Sequence, residues 1–259
     1  MAQFVEVEQA IKMPGLRLVL IPGIPSPWGE AAKSFFQLKR IPFVRARQEP
    51  GGANLALREW TRQTSAPVAV WNDERPRSTW IEQLDLAERL APMPRLIPVA
   101  IDERVRMFGL CNEICGEQGL GWFARLMIFH RNLTNPNLPE AAKQAARGMG
   151  AKYGYDPEIA QAAPAQCATI VKLLADQLSA QKARGNRFFI GGQLSALDIY
   201  WATFSVLIEP LPEELCAMPP HFRQMYTCTD SAIRGALSPD LLTHRDFIYH
   251  EYLELPVDL

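Results

Sequence analysis

The chain has 259 residues, 48% of them hydrophobic, with 27 lysines and arginines against 28 aspartates and glutamates. This nearly balanced charge, with no run of five like charges, argues against a nucleic-acid or anionic-membrane partner. No apolar run is long enough to span a bilayer, and Glu6 and Glu8 stand where a signal peptide would be basic and then apolar, so we expect a cytoplasmic protein.

The first sixty residues predict a βαβ unit. Residues 16–21 form an apolar run typical of a strand. Residues 29–40 place their apolar side chains three and four positions apart, which indicates a helix, and Pro42 stops it. Residues 43–46 begin a second strand, which a right-handed crossover should place parallel to the first.

The following segment completes the pattern of one domain. It predicts a short helix ending near Trp60, a third strand over residues 67–71 and a short fourth strand ending near Arg77. Ser78 can cap the helix that comes next. This order of strands and helices is that of a thioredoxin-like domain, which we place at residues 15–91.

A second, all-helical domain is predicted at residues 99–259. Three prolines between residues 91 and 98 mark the linker before it, since this stretch cannot be helical throughout. Asp102 can cap the first helix of this domain, and Pro164 opens the approach to the third. A last helix or arm is expected over residues 244–255.

Residues 188–201 contain the start of a buried helix. The Ser195 hydroxyl can accept a hydrogen bond from the Asp198 amide, while the Asp198 carboxylate can reach the Ser195 amide, as in a capping box. Leu194 and Ile199 have the spacing of a hydrophobic staple. Because this helix is apolar nearly all round, we expect it in the middle of the helical bundle.

The whole 188–201 string resembles the N-capping signature in the helical half of the glutathione transferase superfamily. The resemblance implies an α/β plus all-α fold, in which a thioredoxin-like domain binds glutathione and an all-helical domain follows. It also implies an apolar pocket between the domains and a homodimer.

Residues 26–29, Ser-Pro-Trp-Gly, lie between the first strand and the first helix, where a thioredoxin-like redox enzyme keeps Cys-Pro-aromatic-Cys. Replacement of both thiols removes dithiol chemistry. The Ser26 hydroxyl then stands at a helix N-terminus, where unpaired amides and the helix dipole favour an anion. We interpret Ser26 as the catalytic group that stabilises a bound thiolate. The alternative is a simple N-cap followed by Pro27.

The resemblance implies further glutathione contacts, at Trp28, Ala66, Pro67, Arg77 and Ser78. Pro67 would be a cis-proline, and the backbone of Ala66 would pair with the cysteinyl part of glutathione. Ser78 would hold the γ-glutamyl carboxylate. Arg77 stands where the superfamily usually has Glu or Gln, and a cation can pair with a carboxylate but cannot hold an ammonium.

Met107, Phe108 and Trp122 are predicted to line the apolar pocket, with ordinary core packing as the alternative. The four histidines lack a metal-ligand spacing, so no metal is expected. The five cysteines are odd in number and scattered, which predicts reduced thiols, with Cys111 and Cys115 in the core.

These patterns together predict a glutathione transferase-like protein that conjugates glutathione to an electrophilic small molecule, with Ser26 stabilising the thiolate. Two alternatives stay open. The fold could serve as a non-catalytic ligand-binding or interaction module. It could also support a glutathione-dependent thiol reductase, which the lack of a thiol at position 26 disfavours.

Overall fold

The computed structural model describes residues 3–259, and its N-terminal part is built on a four-stranded sheet. The strand order is β1-β3-β2-β4, with β1 at Phe4–Val5, β2 at Leu16–Leu20, β3 at Phe43–Arg47 and β4 at Val68–Trp71. Strands β2 and β3 are parallel, as the crossover rule predicted, and β4 runs antiparallel to β2.

Two features of the sheet differ from the sequence-based expectation. The predicted fourth strand near Arg77 is only a single bridge between Ala69 and Arg77. Strand β1 pairs with β3 although it lies before residue 15, where we placed the start of the domain. Both elements are too short for a period of two residues to be visible in the sequence.

Helices cover both faces of this sheet. Helix α1 is Val7–Ala10, α2 is Pro27–Leu38, α3 is Leu55–Thr61 and α4 is Trp80–Leu90. Successive side chains of β2 point to opposite faces, so Leu18 packs in the core cluster that contains α2 and α4, while Val19 packs in the cluster of α1 and α3. The strand is therefore buried on both sides.

The rest of the chain is helical. Its helices are α5 (Ile101–Cys115), α6 (Leu120–Thr134), α7 (Glu140–Lys152), α8 (Pro157–Lys182), α9 (Ala196–Phe204), α10 (Pro220–Tyr226), α11 (Ser231–Ala236) and α12 (Pro239–Tyr252). This architecture confirms the predicted fold class, a thioredoxin-like part followed by a helical part. None of the helices in residues 3–259 is both long and apolar enough to cross a membrane.

Two helix starts were predicted wrongly. Ala100, not Asp102, is the N-cap residue of α5, and Asp102 lies in the first turn, where its charge faces the positive end of the helix. Pro164 lies inside α8. That helix begins earlier because the Asp156 side chain caps it, accepting hydrogen bonds from two amides of the first turn.

Helix α9 is the centre of the helical part, as predicted. All nine of its residues are buried. The Asp198 carboxylate at its start accepts hydrogen bonds from the Ser195 amide (2.8 Å), the Ser195 hydroxyl (2.7 Å) and the Phe189 amide (2.9 Å). The His244 ring nitrogen Nε2 lies 2.9 Å from the same carboxylate.

Tyr200 joins α9 to the sheet-containing part. Its ring packs edge-on against Phe35 of α2 and Trp80 of α4, with centroid distances of 5.2 and 5.6 Å. Its hydroxyl donates to the Trp80 carbonyl at 3.1 Å. One hydrophobic core therefore runs through both parts of the protein.

Candidate functional site

Ser26 is the N-cap residue of α2, and its hydroxyl is free. Glu30 N donates to Ser26 O at 2.8 Å, which is the first hydrogen bond of the helix. Pro27 has no amide hydrogen, so the amides of Trp28 and Gly29 are the unpaired donors of the first turn. Within residues 3–259 the Ser26 hydroxyl makes no hydrogen bond, and the side chain is partly exposed. The hydroxyl and two amides are thus available to an anion.

The segment near residue 258 closes one side of the Ser26 loop. A cavity of only about 10 Å³ lies there, with Ser26, Gly29 and Leu259 among its lining residues. Asp258 is held by Lys33 Nζ, which donates to its carbonyl at 2.7 Å, and by an ion pair with Arg45 at 2.6 Å. Because the cavity holds about one water molecule at most, a larger ligand has to approach Ser26 from another side.

The peptide bond between Ala66 and Pro67 is cis, as the resemblance implied. The Pro67 carbonyl accepts a hydrogen bond at 3.0 Å from the buried Gln83 side chain, which anchors this loop to α4. In the described part of the chain, neither the amide nor the carbonyl of Ala66 has a backbone partner. The Ala66 backbone is therefore free to pair with an extended peptide.

Arg77 forms one ion pair within the sheet-containing part of the chain. Its guanidinium contacts the Glu74 carboxylate at 2.7 Å, and Arg89 contacts the same carboxylate at 2.6 Å. The hydrogen bond from Arg89, to which Arg77 adds, lowers the pKa of Glu74 below its usual value. The positive charge of Arg77 is thus matched by a carboxylate of this chain.

Thr79, not Ser78, caps helix α4. Thr79 and Glu82 form a capping box, in which Glu82 Oε2 accepts from the Thr79 amide at 3.2 Å and the Thr79 hydroxyl at 2.9 Å. The Ser78 amide donates to the same oxygen at 3.3 Å. Burial acts to raise the pKa of Glu82, but hydrogen bonds from Arg75 and Thr79 outweigh it and lower the pKa to about 2. An intramolecular carboxylate therefore occupies this helix start.

Trp28 points toward the helical part rather than into open solvent. Its indole Nε1 donates to the Cys115 carbonyl at 2.9 Å, and its ring packs edge-on against Phe204 at 4.7 Å. Gly121 allows this approach, because a Cβ atom there would lie 2.8 Å from the Trp28 ring and 2.5 Å from Phe204. The indole thus fixes the Ser26 loop against the helical part of the protein.

Arg125 of α6 is a residue that the sequence analysis missed. Its guanidinium carbon lies 4.2 Å from the Trp28 ring centroid and 4.1 Å from that of Tyr153. Burial lowers the pKa of Arg125, against opposing contributions from Tyr153 and Tyr226. The Tyr153 hydroxyl is 3.1 Å from the Ser65 hydroxyl, next to the cis-proline loop. Arg125 thus lies where the helical part meets the loops that carry Ser26 and Pro67.

The three residues predicted to line an apolar pocket have different surroundings. Met107 is fully buried in the core. Phe108 packs near Trp80, with ring centroids 6.2 Å apart, and Trp122 packs edge-on against Tyr153 at the same distance. Core packing, the alternative interpretation, describes Met107.

An apolar groove of about 780 Å³ lies elsewhere, between the loop at residues 50–52 and helices α6, α7 and α10. Phe129, Met149 and Phe222 are among its lining residues. The sequence analysis could not place it because helix α7, which forms one wall, was not predicted. Its small alanines and glycines give a weak apolar pattern.

The cysteines are free, as predicted, and Cys111 and Cys115 are buried. Burial raises the pKa of both thiols well above its usual value, so neither is a reactive thiolate at neutral pH. Among residues 3–259, no cluster of three or more His, Cys, Asp or Glu side chains is arranged to hold a metal ion.

Many solved structures share this architecture. A glutathione S-transferase from Methylobacillus flagellatus KT, crystallised with glutathione, aligns with a TM-score of 0.62 at 12% identity over 90% of this chain and 94% of its own. One from Methylobacterium radiotolerans, in complex with glutathione sulfonate, aligns with a TM-score of 0.61 at 17% identity over 91% of each chain.

The β-etherase LigF from Sphingobium sp. strain SYK-6 aligns with a TM-score of 0.61 at 15% identity, over 92% of this chain and 97% of that one. No protein-family model and no curated protein sequence matches the chain. The structural similarities show that the chain has the glutathione transferase fold.

Proposed function

We propose that this chain, which has the glutathione transferase fold, binds glutathione and transfers it to an electrophilic small molecule. Ser26 would donate a hydrogen bond to the sulfur, and the first amides of α2 would add their positive potential, so that the thiolate is favoured over the thiol. The proposal includes a homodimer in the cytoplasm. The exposed apolar side chains of Ile101 and Val105 on α5 would be suited to a contact between copies.

One observation carries the proposal: two hydrogen-bonding groups are unused by the described residues, the Ser26 hydroxyl before α2 and the Ala66 backbone beside cis-Pro67. The Ser26 hydroxyl has no partner among the described residues, and the Ala66 backbone beside cis-Pro67 has none either. A cysteinyl residue pairing with Ala66 would bring its sulfur toward the positive end of α2. The fold relatives crystallised with glutathione or glutathione sulfonate support the same ligand.

The first test measures glutathione binding by calorimetry and conjugation of a chlorodinitrobenzene by wild type and Ser26→Ala. We expect Ser26→Ala to lower kcat/KM by about 10- to 100-fold, because a hydrogen bond to a charged group contributes roughly 1.5–3 kcal/mol. The pKa of the bound thiol, followed by thiolate absorbance, should rise by about one to two units. Ser34→Ala, buried on the same helix, is the control. Unchanged turnover in Ser26→Ala would remove the proposed role of the hydroxyl.

A second candidate function, a non-catalytic binding module, is favoured by Glu82. Its carboxylate occupies the amides of Ser78 and Thr79, where the resemblance places the γ-glutamyl carboxylate of glutathione. If wild type does not bind millimolar glutathione and Glu82→Ala does not either, the module is the better description. Binding that appears or tightens in Glu82→Ala would instead show that Glu82 competes with the ligand.

A further inference from the structure

The apolar groove described above carries one positive charge and no negative charge. Its walls are the loop at residues 50–52, Thr64 and helices α6, α7 and α10. Lys152 is the single charged residue among its described lining residues. Lys152 Nζ donates to the Thr64 hydroxyl at 2.8 Å, which holds the ammonium at the edge of the groove. A ligand of this groove would therefore meet apolar walls and a cation.

Arg125 is a second cation nearby, on helix α6, although it does not itself line the groove. Phe129, which lines the groove, is four residues after Arg125, so both lie on one face of α6. Tyr153 connects them, because its ring stacks on Phe129 with centroids 6.4 Å apart and also lies over the Arg125 guanidinium. Through Tyr153, the groove wall at Phe129 is thus next to the Arg125 guanidinium, which packs on Trp28 of the Ser26 loop.

The Arg125 guanidinium has no anionic partner. In the described chain it makes no hydrogen bond and no ion pair, although lysines and arginines form twelve ion pairs among the described residues. The Trp28 and Tyr153 rings lie about equally close to its carbon, at 4.2 and 4.1 Å, which compensates only part of the cost of removing it from water. The N–H groups in the guanidinium plane therefore remain available as hydrogen-bond donors to a ligand.

These hydrogen-bond donors determine which chemical group of a ligand Arg125 can bind. A guanidinium carries its N–H donors in a planar fork, and a planar carboxylate matches that fork with two parallel hydrogen bonds. The groove beside it is suited to an apolar or aromatic body. A neutral electrophile would leave both cations unpaired.

We propose that the second substrate is an aromatic electrophile bearing a carboxylate, with its ring in the groove and its carboxylate paired with Arg125. This rests on the proposed transferase function and adds the substrate class. Lys152 of α7 contributes positive potential at the edge of the groove. Arg125 is then a specificity-determining residue, since it discriminates between charged and neutral acceptors.

The test compares two electrophiles of nearly the same shape and different charge, the anionic 4-chloro-3,5-dinitrobenzoate and the neutral 4-chloro-3,5-dinitrobenzamide, each rate being divided by the rate of its uncatalysed reaction with glutathione. In both, the glutathione sulfur forms a bond to the carbon that carries chlorine, and the carbon–chlorine bond breaks. Chloride leaves with the bonding pair, and the thiol proton goes to the buffer. We expect wild type to prefer the benzoate by about 10-fold or more in kcat/KM.

Arg125→Met should lower kcat/KM for the benzoate by at least about 10-fold and change that for the benzamide by less than about threefold. Arg125→Lys keeps the charge but loses the fork, so it should retain part of the preference, and it serves if Arg125→Met does not fold. Lys172→Met, exposed on α8, removes the same charge elsewhere and should leave the ratio unchanged. Equal kcat/KM for the two electrophiles in wild type, or a ratio that Arg125→Met leaves unchanged, would overturn the inference while the transferase stands.

Binding of the unreactive 3,5-dinitrobenzoate, measured by calorimetry with and without glutathione, separates the two proposals. Arg125-dependent binding in a protein that neither binds nor turns over glutathione would reject the transferase and support the anion site. Competition between dinitrobenzoate and glutathione would show that Arg125 pairs with a carboxylate of glutathione, which would overturn the inference. Simultaneous binding of both ligands is the result expected.

Discussion

At the scale of single residues, Asp198 has the most demanding environment in the protein. It is fully buried, and three donors and the His244 ring converge on its two oxygens. A buried carboxylate is tolerated only when its hydrogen bonds are satisfied. The spacing of three residues between Ser195 and Asp198 made half of this network predictable. His244, 46 residues further along the chain, was not foreseen because pairing at that distance leaves no local pattern.

The Ser195 hydroxyl also makes one bond that was not predicted. Besides forming the capping box with Asp198, it donates to the Asp198 carboxylate at 2.7 Å. A carboxylate oxygen is a strong acceptor for a hydroxyl donor.

Asp198→Ala is expected to destabilise the protein by about 3–5 kcal/mol, because it leaves buried donors at Ser195 and Phe189 without an acceptor. Asp198→Asn should cost nearly as much, since its amide group places a donor against donors. Urea unfolding measures both, with Asp176→Asn on the exposed face of α8 as the control. A loss below about 1 kcal/mol in Asp198→Ala would contradict this view of the network.

At the scale of elements, the helices that the sequence predicted correctly are those with a clear start signal. Helices α2 and α9 were found because an apolar pattern and a start signal agree in each. Two capping residues compete at α4, and Thr79 is used because Glu82 lies three residues after it. The position of Ser26 followed from the order of elements and the cis bond at Pro67 from the resemblance, while Arg125 could not be found because three distant segments create its environment.

The capping box of α4 should make stability depend on pH. The folded pKa of Glu82, about 2, lies below its unfolded value, about 4.5. The charged carboxylate therefore stabilises the folded state above about pH 4.5, and this contribution is lost as the pH falls toward 2. We expect wild type to exceed Glu82→Gln in unfolding free energy at pH 6–7, by about 1 kcal/mol, and the difference to shrink below about pH 4.5.

Urea titrations of both proteins at several pH values measure this difference. Glu251→Gln, exposed on α12, removes a carboxylate outside the box and is the matched control. A constant difference between wild type and Glu82→Gln over the whole range would show that the ionised carboxylate is not what stabilises the helix start.

At the scale of the whole molecule, the sheet and the helices share one core. The α9 side chains pack directly against α2 and α4, and the linker joins in, since the Ala196 amide donates to the Leu96 carbonyl at 2.9 Å. The sequence predicted two domains separated by a proline-rich linker, and composition alone could not show how much apolar surface they share. Shared burial of this kind couples the unfolding of two domains.

Tyr200→Ala should uncouple the unfolding of the sheet-containing part from that of the helical part. Four of the six tryptophans lie before residue 91, so tryptophan fluorescence mainly follows the sheet-containing part, whereas circular dichroism follows the helices. In wild type we expect the two unfolding curves to coincide. Removal of the Tyr200 ring takes away contacts with Phe35 and Trp80 and should lower the free energy of unfolding by about 3–5 kcal/mol, so that the two unfolding curves separate.

Tyr200→Phe is the control. It loses only the hydroxyl bond to Trp80, so its two unfolding curves should still coincide. Curves that still coincide in Tyr200→Ala would place the coupling in other contacts of α9.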